Sequence, residues 1–196
     1  MSFVCRTLTL ETSSRMRTSS TLSRIRTFSS VPSTAPVTES DVLAHQSNWS
    51  SAICDISSKY LAKEDFVSAA ASHAGDLYNY GNSPVLFKPT KATNHPFRPT
   101  PEEAMSYFVG GTNVPDGYTP EDGGFAINGG SGWSAVEFIN SSIYLDGGLG
   151  FACGVYDFTC STTGEVSRVE YTKGYKRGPD GKVRLFLHHS SVPFGK

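Results

Sequence analysis

The stretch Val183-Arg184-Leu185-Phe186-Leu187-His188-His189-Ser190-Ser191-Val192-Pro193 begins as an apolar strand and ends on four consecutive polar side chains. A strand entering a core ends this way only where the polar groups have partners or a task, because an unpaired buried polar group costs roughly 1–3 kcal/mol. Side chains alternate across a strand. His188 and Ser190 therefore share one face, and His189 and Ser191 share the other. One pair is expected to line a pocket and the other to pack or meet solvent.

Reading back from that strand, three more β-rich segments precede it: Trp133 to Tyr144, Leu149 to Thr159 and Val166 to Lys176. The joints are turn signals, at Asp146-Gly147-Gly148, near Thr163-Gly164, and at Gly178-Pro179-Asp180-Gly181. Four strands joined this way predict an antiparallel meander.

Further upstream the spacing is helical. Val42, Trp49, Ile53, Ile56 and Tyr60 form one apolar face, predicting a helix from a Thr38 or Ser40 cap to about Tyr60. A second helix is expected from about Lys63 to Tyr80, with Phe66, Ala70, His73 and Leu77 facing inward and His73 a packed core histidine. Val85-Leu86-Phe87 is a short strand. Thr100-Pro101-Glu102-Glu103 is a capping box with proline at the first helical position, and Gly110-Gly111 ends that third helix. Helices first and strands last give an α+β class. A curved sheet wrapping the long helix would leave a conical pocket between them.

The 196 residues suit one domain with an extension, and the net charge of −1 offers no polybasic surface for nucleic acid. No apolar run approaches the ~18 residues of a membrane span. Residues 1–37 hold five arginines, one acid and many Ser and Thr, leaving 12 basic and 17 acidic residues beyond them. That composition reads as an organellar transit peptide and linker, most simply mitochondrial with a plastid address as the alternative. Arg26-Thr27-Phe28-Ser29-Ser30 looks like a processing site. The domain is then 38–196. Cys54, Cys153 and Cys160 form no CxxC pair and are expected to be reduced core thiols.

Several motifs follow one another in order: Phe87-Lys88-Pro89-Thr90-Lys91-Ala92, Phe97-Arg98, Ser106-Tyr107-Phe108-Val109-Gly110-Gly111, Glu121-Asp122-Gly123-Gly124-Phe125-Ala126, Val169-Glu170-Tyr171-Thr172-Lys173-Gly174-Tyr175-Lys176 and the terminal His188-His189-Ser190-Ser191-Val192-Pro193. In this order they resemble an iota-class carbonic anhydrase, over roughly residues 40–194. The family's domain is similar to the calcium/calmodulin-dependent kinase II association domain, a cone-shaped nuclear-transport-factor-2-like fold. The resemblance implies reversible hydration of carbon dioxide to bicarbonate, without cofactor or metal, although manganese dependence has also been claimed in the family. It implies a bicarbonate-sized pocket lined by a Thr, a Tyr and a Ser. These fall on Thr90, Tyr107 and Ser190, the last with His188 on its face; Ser191 with His189 is the alternative.

Carbon dioxide hydration needs an activated water and stabilisation of charge on the substrate oxygens. No HxH or HExxH motif spells out a zinc site. Hydroxyls can do the work instead, since each donates and accepts, with His188 as relay of the proton to bulk. Lys88, Lys91 and Arg98 flank the site in sequence and could attract bicarbonate. A homodimer through the sheet is expected. The rival readings are a non-catalytic association module and an isomerase or cyclase of the same superfold, for which Asp157, Glu137 and Glu170 are the available strand carboxylates.

Overall fold

The computed structural model describes residues 35–195; the expected transit peptide lies outside them but for its last residues. Helices α1 (Glu39–Leu61), α2 (Phe66–Leu77) and α3 (Pro101–Val109) precede a meander of β2 (Trp133–Asp146), β3 (Leu149–Cys160), β4 (Val166–Arg177) and β5 (Val183–Ser191). A short β1 (Leu86–Lys88) sits between α2 and α3 and pairs in parallel with β5, so the sheet order is β1-β5-β4-β3-β2. The α+β class and the cone expected from the sequence are therefore present.

Thr38 caps α1, and its box partner is Asp41. The Asp41 carboxylate also pairs with Arg177 at 2.5 Å, fastening the start of α1 to the end of β4. Trp49 carries α1 across the concave face of the sheet, meeting Phe138, Tyr156, Phe158 and His188 edge-on at 5.7–6.1 Å between ring centres. Gly154 in β3 lets β2 bulge between Asn140 and Ser142 pass close by, because a Cβ there would overlap the Ile139 carbonyl. Before that bulge Asn140 reaches inward, where it exchanges two hydrogen bonds of 2.8 and 2.9 Å with Gln46 and accepts one of 2.7 Å from Tyr171.

Three expectations need correction. Helix α2 is shorter than its apolar pattern: Lys63 adopts φ 61° and Asp65 caps the helix instead. At the other end Tyr78 leaves the helix in an extended conformation because it bridges Leu185 of β5. His73 is not a core histidine; its side chain is 37% exposed and bonds Asp55 at 2.9 Å. Cys153 is exposed on the outer face of the sheet, whereas Cys160 is buried and Cys54 half-buried, and all three are free thiols.

Candidate active site

The phase of β5 is as the alternation requires. His188 and Ser190 are buried in the cone, while His189 is exposed and Ser191 bonds Glu170 at 3.0 Å on the outer face. The inward pair belongs to a chain of hydrogen bonds that joins α1, the residue that follows α2, β5 and β3. Trp49 Nε1 donates to Tyr78 Oη at 3.1 Å, Tyr78 Oη lies 2.8 Å from His188 Nδ1, His188 Nε2 lies 3.0 Å from Ser190 Oγ, and Ser190 Oγ lies 2.5 Å from Tyr156 Oη.

The indole at the head of this chain can only donate. Tyr78 accepts from it, so the Tyr78 proton is satisfied only by His188 Nδ1. The imidazole then carries its hydrogen on Nε2 and donates it to Ser190. This tautomer is assigned from the network. Burial is the main reason the His188 pKa falls well below the usual histidine value, with Lys173, His45 and His189 adding to it. Burial likewise raises Tyr78 and Tyr156 above the usual tyrosine value. The chain is uncharged at neutral pH. Burial thus disfavours the imidazolium that a relay to bulk would form, and the two ring bonds, to Tyr78 and Ser190, suit an exchange of tautomers instead.

Thr90 and Tyr107 form a second group. Thr90 follows β1 and Pro89, and Tyr107 is on the inward face of α3. The Tyr107 hydroxyl is fully enclosed and makes no hydrogen bond of good geometry with the protein. Burial raises its pKa, opposed by the neighbouring Lys91 amide and by the hydroxyl and amide of Thr90. The Lys91 amide and the hydroxyl and amide of Thr90 are thus the donors that face this oxygen. A cleft of about 270 Å³ opens onto Tyr107, with Lys91 and Glu121 at its rim and Gly123-Gly124-Phe125 along one wall. Gly124 takes φ 84°, and a Cβ there would lie 2.7 Å from the Ile127 side chain, so glycine is required for the wall to turn.

The four residues expected from the sequence thus fall into two pairs, Thr90 with Tyr107 and His188 with Ser190. Phe87 joins them: its ring stacks on His188 at 4.9 Å and meets Tyr107 edge-on at 5.8 Å. Thr90, His188 and Ser190 are not among the residues lining the cleft. Sequence reasoning missed Trp49, Tyr78 and Tyr156 as parts of the chain. Tyr156 was within reach by alternation, since Asp157 points outward to Arg168 and its neighbour must point in.

The flanking cations separate. Arg98 is completely buried and bonded to Asp122 at 2.8 Å, so it does not attract an anion, contrary to the expectation. Lys88 reaches the Ser190 carbonyl at 3.4 Å, and Lys91 is exposed at the cleft. Glu137 and Glu170 are exposed, and Asp157 pairs with Arg168 on the outer face, so none supplies the carboxylate that an isomerase or cyclase would need in the cone. Among the described residues, no three His, Cys, Asp or Glu side chains are grouped so as to hold a metal ion.

Comparison with known proteins agrees with this geometry. Residues 40–192 match the family model described as metal-independent carbonic anhydrase. A protein of that name from Nostoc sp. is 38% identical over 161 residues, which cover 81% of this chain and 75% of the relative. The crystal structure of a cyanobacterial iota-carbonic anhydrase complexed with bicarbonate superimposes with a TM-score of 0.74 at 36% identity, over 82% of this chain and 95% of that one. The chain belongs to the metal-independent carbonic anhydrase family.

Proposed function

We propose that this protein hydrates carbon dioxide reversibly to bicarbonate, with hydroxyl groups in place of a metal. The observation that carries the reading is the enclosed, unbonded Tyr107 hydroxyl beside the Thr90 and Lys91 donors. A group of that kind costs stability unless something other than the protein satisfies it. An oxygen of carbon dioxide gains charge as water attacks the carbon. Tyr107 and Thr90 donate to that oxygen, and such preorganised donors contribute most where charge develops. Ser190 and Tyr156 hold the attacking water from the other side, and the Ser190–His188–Tyr78 chain keeps their hydrogens in order. As the water oxygen bonds the carbon, one C=O π bond breaks onto the oxygen that Tyr107 and Thr90 hold, and one water proton passes to solvent, leaving bicarbonate. Phe87 gives the apolar gas a dry wall between the two groups.

The test is hydration of carbon dioxide by the purified domain after exhaustive chelation. Activity that survives chelation and falls in Thr90→Ala, Tyr107→Phe and Ser190→Ala is the expected result. An inactive chelated protein restored by manganese would overturn the metal-free reading.

The proposal extends to the protein's address and assembly. Residues 1–37 would carry the protein into an organelle, the mitochondrion before the plastid, which a fluorescent reporter fused to them checks. The outer face of the sheet, where Phe151 meets Phe186 at 5.8 Å, would join two copies into a homodimer, which light scattering checks.

A further inference from the structure

Lys173 lies inside the cone and has no part in the hydrogen-bonded chain. It faces His188 directly in the register of β4 with β5, between Tyr171 and Tyr175 on the same buried face. It is the one fully buried lysine among the described residues, and its Nζ has no hydrogen-bond partner. Ring faces surround it instead: Nζ stands 3.8 Å from the centre of Trp49, 4.5 Å from Phe138, 5.2 Å from Tyr156 and 5.9 Å from Tyr171.

The titratable groups around it are His45 from α1, Tyr156 from β3, Tyr171 and Tyr175 from β4 itself, and His188 from β5, with Tyr78 behind Trp49. None is an acid. Burial drives the Lys173 pKa well below the usual lysine value, and it brings His45 down to about 4. The empty interior therefore offers an ammonium no ionic partner. Aromatic faces nevertheless stabilise an ammonium once it forms, and most strongly where water is excluded. An anion placed nearby in the same medium favours the charged form further. Arg98 cannot serve such an anion because Asp122 holds it, and Lys91 is screened by water at the cleft.

We propose that Lys173 is the counter-charge of the bound anion: one proton is taken up at Nζ as bicarbonate settles against Ser190 and Tyr156, and is given up as it leaves. This rests on the reaction proposed above. It places Lys173 as a positioning residue, acting across Tyr156 and His188 on the group that touches substrate.

The test is NMR of the full-length protein carrying ¹³C at lysine Cε, at one mildly alkaline pH, titrated with sodium bicarbonate. The Lys173 signal is identified by the ring-current shift of Trp49, so the measurement needs no variant. It should sit at the neutral-amine position without bicarbonate and move to the ammonium position at saturation. Bicarbonate affinity should fall about tenfold per pH unit above the pKa of the empty site's amine, and Lys173→Met should lose that slope. A signal that bicarbonate leaves unmoved, in a protein that hydrates carbon dioxide, would overturn the assignment alone. A wild-type protein that does not hydrate carbon dioxide would overturn the proposed function and this assignment with it.

Discussion

Arg98 and Lys173 are both shut off from solvent, and the molecule treats them in opposite ways. Arg98 donates to Asp122 at 2.8 Å and to the His95 carbonyl, and its guanidinium covers the Tyr118 ring at 4.7 Å. Asp122 in turn accepts from Ser106 at 2.6 Å, and the Ser106 hydroxyl accepts the Tyr118 amide at 2.9 Å. Every one of these bonds fastens the loops on either side of α3. Lys173 has four ring faces and no ionic partner. The difference teaches where function lies in this fold. A buried cation paired with a carboxylate of the protein serves as scaffold, whereas a buried polar atom left unpartnered, such as the Lys173 amine or the Tyr107 hydroxyl, is free to meet something that comes and goes.

The largest way to break that comparison is to remove the answer to Arg98. Asp122→Ala leaves an uncompensated buried guanidinium, a change that typically costs about 3–5 kcal/mol. Urea unfolding should show a loss of that order. A loss under about 1 kcal/mol would mean that water reaches Arg98 and that the pair is not the scaffold described here.

The unanswered groups should behave in reverse, losing rate and not stability. Tyr107→Phe removes a hydroxyl that makes no good bond to the protein, so the unfolding midpoint should hold or rise slightly. The hydration rate should fall by about 10²–10³, the usual cost of one preorganised donor. Ser190→Ala should lose a similar factor, while Ser191→Ala, on the outer face beside Glu170, should leave the rate unchanged. A rate loss at Ser191 as large as that at Ser190 would reverse the assignment of the two strand faces. Lys173→Met, besides its effect on anion binding, should raise stability by about 1 kcal/mol, since it removes a buried amine with no partner.

How far these groups could be read from the sequence depends on the kind of information each requires. Strand parity was enough to pair His188 with Ser190 on one face, though not to say which face turns inward, and the turn residues were enough for the meander, because both are local properties of the chain. Parity also puts Lys173 on the face of Tyr171 and Tyr175, a signal that was present but weak, since a lysine on a strand is usually at the surface. The Trp49–Tyr78–His188 sequence of bonds was not legible. Its members are 29 and 110 residues apart, and alternation tells which face a side chain takes but not which neighbour it meets. The end of α2 was misread for the same reason: its pattern continues past Leu77, and only the bridge to Leu185 explains why Tyr78 turns out of the helix. Arg98 looked like a flanking cation because its partner Asp122 lies 24 residues away.

The smallest expected effect concerns Glu121, which extends the scaffold half of the comparison to the rim of the cleft. Its carboxylate accepts the Thr93 and Asn94 amides and both the amide and the ring Nδ1 of His95, whose carbonyl is the one Arg98 holds. The Thr93 amide is the main cause that brings the Glu121 pKa down to about 2 from an ordinary 4.5. A carboxylate lowered on folding stabilises the folded form above its unfolded pKa, and that contribution is lost as pH falls through the folded one. The clasp should therefore hold at neutral pH and weaken between about 4.5 and 2. Hydrogen-exchange protection of the Thr93, Asn94 and His95 amides should decline across that window in the wild type, with the β4–β5 amides still protected. Glu121→Gln should show the weakened clasp already at neutral pH, with no further decline through the window. Equal protection of the three amides in the variant and the wild type would show that the loop is held by Arg98 alone, and that the scaffold half of the molecule ends at Asp122.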